Sequence, residues 1–134
     1  MISLSTALAR VNRAKIKELA KPCYLHADSV EKNIGYFKNR QLAQPLFGIY
    51  ASSALWTVVS VNWLYSCVGG EITKLQIDQE TQILFQYFTQ NDFNEYGYLE
   101  GSRVIWMHSN SVCSQILNVL LLLEKVPNGT LLKH

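Results

Sequence analysis

Apolar residues recur at helical spacing in the first third of the chain. Between residues 4 and 21 they fall on one broad face at about 100° per residue: Leu4, Leu8, Val11, Ile16 and Leu19. Pro22 ends this pattern. Asp28 and Glu31 have the spacing of a capping box, which predicts the start of a second helix before Pro45. The pattern therefore predicts an N-terminal pair of helices.

After Pro45 the spacing becomes alternating. Apolar and aromatic side chains then occupy every second position: Val59, Val61, Trp63, Tyr65 and Cys67. This alternation predicts a strand, and Gly69-Gly70 predicts a two-residue turn into a returning strand at 73–77, within a hairpin spanning 56–77. Residues 82–89 fit either a third strand or a helix capped by Asp78, and residues 103–108 fit a short strand.

The chain is predicted to end with an apolar helix over residues 111–126, stopped by Pro127 and Gly129. Its leucines point in every helical direction, so we expect it to be buried or docked on a partner. Together these elements predict an α+β fold in a single domain over residues 1–134: an N-terminal helical pair, an antiparallel sheet (a meander with a Gly-Gly hairpin) and a C-terminal apolar helix. The alternative is an all-α bundle, which requires residues 46–68 to form one long helix.

Charge divides the chain into two regions. Residues 1–45, the basic helical region, carry eight Lys/Arg and three Asp/Glu, a net charge of +5. Residues 46–134, the apolar core region, carry four Lys/Arg and seven Asp/Glu, a net charge of −3. The overall charge of +2 is too small to steer a partner, so only its uneven placement is informative.

An uncharged run of 30 residues, 41–70, raises the alternative of a membrane span. Its several serines are costly at membrane depth, and Trp56 and Trp63 lie in its middle, away from the interface that tryptophan prefers. We therefore expect no membrane association. Three widely spaced cysteines argue for reduced thiols, and the early cations argue against a secretory signal, so we expect a cytoplasmic protein.

A stripe of cations on the first predicted helix is the most specific candidate site. Its four side chains leave the helix within roughly 80°, and two later cations extend it. The predicted nucleic-acid-binding residues are Arg10, Arg13, Lys17, Lys21, Lys38 and Arg40. The alternative is an ordinary solvated face. Aromatic side chains of the sheet, such as Trp56 and Tyr98, would stack on bases if exposed, and otherwise form core.

Signals for catalysis or metal binding are sparse. Cys23 and His26 have Cys-x-x-His spacing, and His108 with Cys113 would complete a zinc set, but that second pair is looser than zinc sites require. No phosphate loop, dinucleotide fingerprint or nucleophile turn supports a Cys–His pair. We therefore predict no catalytic residue, metal or cofactor. No motif identifies a family.

Three functions remain open. The sequence favours a non-enzymatic interaction or assembly subunit, docking on a partner protein or a second copy of itself through the C-terminal helix, with the basic N-terminal helix contacting nucleic acid. The first alternative is an RNA- or single-stranded-DNA-binding subunit of a ribonucleoprotein complex. The second is a small enzyme using Cys or His chemistry.

Overall fold

The fold is α+β, as predicted. The computed structural model describes Ala9 and residues 15–38, 45–77 and 80–124. Its helices are α1 (Ile16–Ala20), α2 (Ala27–Asn33), α3 (Thr81–Gln90) and α4 (Asn110–Leu123). Its strands are β1 (Tyr24–His26), β2 (Pro45–Ser52), β3 (Leu55–Ser60), β4 (Trp63–Val68), β5 (Glu71–Gln76), β6 (Tyr96–Leu99) and β7 (Arg103–Trp106). The first five strands form one antiparallel sheet in chain order, and β6 pairs only with β7 among the described strands.

The uncharged run forms strands β2, β3 and β4, which excludes the all-α bundle. The predicted strand through residues 59–67 is in fact two strands. The Ser60 hydroxyl accepts a hydrogen bond from the Trp63 N–H at 3.2 Å and donates one to the Trp63 carbonyl at 2.8 Å, closing a turn between them. Within the described residues, no helix has the length and apolar character needed to cross a membrane.

The predicted hairpin at Gly69-Gly70 is confirmed. Val68 pairs with Glu71 across the turn, and the two glycines have φ of 61° and 86°. Two consecutive positive φ values define the turn type that matches the twist of a two-residue hairpin, and glycine adopts them without a steric penalty.

The predicted N-terminal helical pair is interrupted by a short strand. Of the first predicted helix, the described part is α1, and β1 follows it to pair with β2 through Tyr24 and Ile49. The capping-box prediction is wrong, because His26 occupies the N-cap of α2 and Asp28 lies in the first turn.

Residues 82–89, left open between strand and helix, form α3. The four-residue spacing of Leu84 and Phe88 turns these side chains to one side of the helix, where both join the core cluster. Glu80 occupies the N-cap position, and Asp78, the predicted cap, lies outside the described residues.

Both faces of the five-stranded sheet are apolar. One, here called the core face, carries Phe47, Ile49, Val59, Leu64 and Leu75 and is covered by α1, α3, α4 and the β6–β7 hairpin. The other, here called the aromatic face, carries Trp56, Val58, Trp63, Tyr65 and Cys67 and is covered by α2 and the 3₁₀ turn Gly35–Phe37.

A glycine brings α2 close to the aromatic face. A Cβ at Gly48 would lie 3.3 Å from a methyl group of Val30 and 3.2 Å from one of Val58. These distances are shorter than ordinary van der Waals contact, so a side chain here would push the helix away from β2. Gly48 therefore sets how tightly the aromatic face is covered.

Two buried hydroxyls attach β7 to the sheet. Thr57 on β3 donates to the Trp106 carbonyl at 2.5 Å, and Ser66 on β4 accepts from the Trp106 N–H at 2.9 Å. The hydroxyls also lie 2.9 Å from each other. All three residues are buried, so these bonds satisfy backbone groups that water does not reach.

We expect Thr57→Val to destabilise the fold by about 1–3 kcal/mol, since it leaves the buried Trp106 carbonyl without its donor at nearly constant volume. Urea denaturation at pH 7 measures the change. Thr57→Ser is the control that keeps the hydroxyl and removes a methyl group. A Thr57→Val protein as stable as wild type would show that this bond contributes nothing net.

Candidate interaction surface

Three of the six predicted nucleic-acid-binding residues lie in the described part of the chain. Lys17, Lys21 and Lys38 are exposed, whereas Arg10, Arg13 and Arg40 lie outside the described residues. Among the described side chains the one ion pair joins Arg103 to Glu80, so none of these three lysines is held by a described carboxylate.

The C-terminal helix is largely covered by its own chain. Its buried residues are Val112, Cys113, Ile116, Val119, Leu120 and Leu123. Its exposed side is mainly polar, with Ser111, Ser114 and Asn118, and ends at Leu121, which is 42% exposed. The apolar character that predicted a docking helix is therefore used mostly inside the fold.

The described structure does not bring the candidate zinc ligands together. Among the described residues, no three His, Cys, Asp or Glu side chains are placed to hold a metal ion together. All three cysteines are free thiols. Burial raises the pKa of Cys67, and raises that of Cys113 to about 12, so both thiols are protonated and weakly nucleophilic at neutral pH.

Two large aromatic side chains of the sheet, Trp56 and Tyr65, are core residues. Trp56 and Tyr65 are 2% and 1% exposed, and Phe37 covers both, with ring centroids 5.6 and 5.1 Å away. Burial first, and the neighbouring Tyr36 second, raise the pKa of Tyr65 to about 12. These rings are unavailable for stacking on bases. Tyr98, which is 56% exposed, is the most accessible large apolar side chain described.

A pocket of about 250 Å³ opens on the aromatic face beside the 3₁₀ turn. Its walls include Tyr36, Trp56, Cys67 and Ile72, and none of the described lining residues is charged. A pocket lined by aromatic, aliphatic and small polar side chains suits an apolar side chain or a small neutral group.

The outer edge of β5 presents free backbone groups. Val68 and Glu71 close a two-residue turn and form a hydrogen-bonded pair, so ladder bonds to β4 alternate along β5 from that point. The N–H and C=O groups of Ile72 and Lys74 consequently point away from β4. Among the described residues, no strand pairs with this edge.

Hydrogen bonds within the chain close both ends of this edge. At one end the Gly70 N–H points back across the end of β4 and donates to the Ala54 carbonyl, next to β3, at 3.3 Å, so it is not free for an added strand. At the other, Glu80 binds both outward groups of Gln76: its carboxylate accepts from the Gln76 N–H at 3.1 Å, and its own N–H donates to the Gln76 carbonyl at 2.9 Å. The open part of the edge, here called the β5 window, is thus residues 72–74.

An ion pair holds Glu80 in place. The Arg103 guanidinium donates to the Glu80 carboxylate at 2.7 Å and is itself anchored to the Glu100 carbonyl at 3.1 Å. The hydrogen bond from Arg103 and the one from the Gln76 N–H lower the pKa of Glu80. Sequence reasoning missed this pair because 23 residues separate its members. The predicted return strand at 73–77 was the available signal for the edge itself.

The described structure is a small α+β domain whose antiparallel sheet is covered on both faces and open at one edge. No protein-family model matches the chain, and neither a curated protein nor a solved structure matches it.

We expect Glu80→Gln to lower stability at pH 7 by less than about 1 kcal/mol, because the ion pair is partly solvated. The native pKa of Glu80 is lowered, so its contribution is full above the unfolded pKa of about 4.5 and is lost as pH falls through the native value. Urea unfolding at pH 7 and pH 3 should therefore show a gap between wild type and variant that closes in acid. An equal gap at both pH values would contradict this assignment.

Proposed function

We propose that the protein is a non-enzymatic assembly subunit that docks on a partner protein by adding a strand to the β5 window. The observation that carries this proposal is the pair of outward-facing backbone sites at Ile72 and Lys74. An extended segment laid along a sheet edge gains main-chain hydrogen bonds, and its alternate side chains contact the two faces of the sheet.

Side chains near the window favour such pairing. Ile72 is 39% exposed beside the pocket, so an incoming strand has an apolar contact next to the backbone bonds. The ammonium of Lys74 lies 4.5 Å from the centre of the Trp63 ring, on the aromatic face and away from the edge. Two devices that commonly block edge pairing, a bulge and a proline, are absent from the β4–β5 register and from β5.

A cytoplasmic location fits this proposal, because Cys23, Cys67 and Cys113 are free thiols and a reducing compartment keeps them so. The protonated state of the two buried cysteines supports a docking role over Cys chemistry. Leu121 leaves the C-terminal helix with a small apolar contact, which makes that helix a secondary docking element.

Lys74→Pro tests the docking edge. Proline removes an outward N–H that β4 does not use, so it blocks an added strand and leaves the β4–β5 ladder intact. Lys74→Ala is the matched control that keeps the N–H. We expect wild type and Lys74→Ala to retain a partner at low salt, either another protein or a differently tagged second copy. Lys74→Pro should retain at least about tenfold less, because it loses one hydrogen bond and disturbs the pairing register.

Thermal unfolding checks that both variants are folded. A partner that Lys74→Pro retains in full would show that docking uses another surface.

The second candidate function is nucleic-acid binding by the basic region. The supporting observation is that Lys17, Lys21, Lys32 and Lys38 are all exposed and make no ion pair with a described carboxylate. In this proposal the phosphate contacts come from Arg10, Arg13, Lys17, Lys21, Lys38 and Arg40, and they carry no base preference.

The four contacts from the first predicted helix (Arg10, Arg13, Lys17 and Lys21) predict a log–log salt slope near −3 on single-stranded RNA, at about −0.7 per phosphate. Lys17→Glu should flatten that slope by at least about 0.7 and weaken all sequences alike. Lys74→Glu, the same charge change outside the basic region, is the control and should leave the slope unchanged. Fluorescence anisotropy across a salt series measures both. If the protein binds no single-stranded RNA at low salt, the nucleic-acid proposal is wrong and only the docking proposal remains.

A further inference from the structure

We infer that the strand received by the β5 window is β5 of a second copy, paired antiparallel about a two-fold axis through Thr73. This inference rests on the proposed function, because it names the partner of the same edge. The geometry behind it is the placement of the free groups: they belong to Ile72 and Lys74, which lie one residue on either side of Thr73.

An antiparallel pair centred on Thr73 places Ile72 of each copy opposite Lys74 of the other. Both residues present N–H and C=O groups toward the incoming strand, so each of the two pairs exchanges two hydrogen bonds. Four bonds form, and they use every outward group of the window. The two Thr73 residues face each other on the axis as a non-hydrogen-bonded pair, because their own groups are bonded to β4.

The two neighbouring two-fold registers, centred on Ile72 and on Lys74, would form fewer hydrogen bonds between the strands. Centring on Ile72 sets Lys74 opposite Gly70, whose N–H is already bonded to Ala54. Centring on Lys74 sets Ile72 opposite Gln76, whose outward N–H and C=O are both bound by Glu80. That second register also places two lysines directly opposite each other, an unfavourable like-charge pair. The internal hydrogen bonds at the window's ends therefore select the Thr73 register.

Side chains are compatible with this register on both faces. On the aromatic face, Ile72 lies opposite Lys74 of the other copy, whose ammonium is already drawn toward Trp63 of its own chain. The aliphatic part of that lysine then covers Ile72. On the core face, Glu71 lies opposite Leu75, and threonine opposite threonine is a favourable cross-strand pair. No like charges meet directly.

The pairing closes on itself. The same window is used on both copies, so a two-fold dimer leaves no β5 window for a third. The contact is also small, since it involves one short strand from each copy. Contacts well below about 1,000 Å² are typical of weak complexes, so we expect a reversible dimer that depends on protein concentration.

Thr73→Cys tests the register. Non-hydrogen-bonded partners have Cα atoms about 4.5 Å apart, within the range that a disulfide spans. Lys74→Cys is the matched control, because the two Lys74 residues are offset by two positions and their Cα atoms lie roughly 8 Å apart, beyond disulfide reach. Wild type controls for the three native thiols. Each protein is oxidised mildly and run on a non-reducing gel.

The expected result is a covalent dimer of Thr73→Cys, with Lys74→Cys and wild type monomeric on the gel. Sedimentation velocity supplies the readout without cysteine substitution: wild type should dimerise with rising concentration, and Lys74→Pro should stay monomeric. Equal crosslinking of Thr73→Cys and Lys74→Cys would overturn the register.

A wild-type protein that stays monomeric, together with a Thr73→Cys variant that does not crosslink, would overturn self-pairing. The Lys74→Pro purification then separates the two proposals. If that variant loses a partner that wild type retains, the edge receives a strand from another protein and the proposed function stands. If it loses nothing, both proposals fall.

Discussion

The hydrogen bonds that two buried hydroxyls make to the Trp106 backbone position the second half of the molecule on the first. They set β7 against strands β3 and β4 at one register. That register carries Arg103, at the start of β7, to Glu80, and Glu80 closes the end of β5 through Gln76. The length of the open edge thus depends on a contact made elsewhere on the sheet. Loss of the Thr57 and Ser66 hydroxyls would therefore loosen both the β6–β7 hairpin and the hydrogen bonds of Glu80 to Gln76.

Covering both faces of the sheet leaves its edges as the accessible backbone. A sheet with apolar residues on both sides must be covered on both, and the helices and hairpin do this at the core face while α2 does so at the aromatic face. At one edge, β1 is three residues long and α2 follows directly after it. At the other, β5 is six residues long and has no described neighbour beyond it. The difference between the two edges is why we propose β5, and not β1, as the docking edge.

Regular patterns predicted the hairpin and the terminal helix, and strands without a distinct alternation escaped, including the eight-residue β2. The Gly-Gly hairpin and the terminal helix were visible because several residues repeat one spacing. Strands β1 and β6 have three and four residues, too few for an alternation to be distinct. Ser66 was interpreted as a polar position alternating with core residues, but it is fully buried and bonded to β7. A sheet covered on both faces hides polar groups that a one-sided sheet would expose.

The proposed interaction surface was harder to predict than the fold, because the position of a strand at an edge depends on the strand order of the whole sheet. Nothing local to residues 71–76 shows that the next strand in sequence lies on a separate hairpin. The charge pattern drew attention to the basic region, since clustered cations are visible in sequence and free backbone groups are not. The apolar residues of the C-terminal helix predicted that it is buried or docked on a partner, and contacts within the chain bury most of them. Docking through this helix stays a prediction.

The small size of the β5 window is itself informative about assembly. A long, flat, unpaired edge invites uncontrolled strand addition, and proteins commonly block it with proline, a bulge or charge. Besides the charges of Glu71 and Lys74, the chain uses its own hydrogen bonds, from Gly70 to Ala54 and between Glu80 and Gln76, to reduce the edge to two outward-facing residues. Under the proposed function, an edge that short would bind weakly and in one register. Such a contact would suit a subunit that associates reversibly, and it would limit open-ended growth because the groups that a longer ladder needs are already bonded.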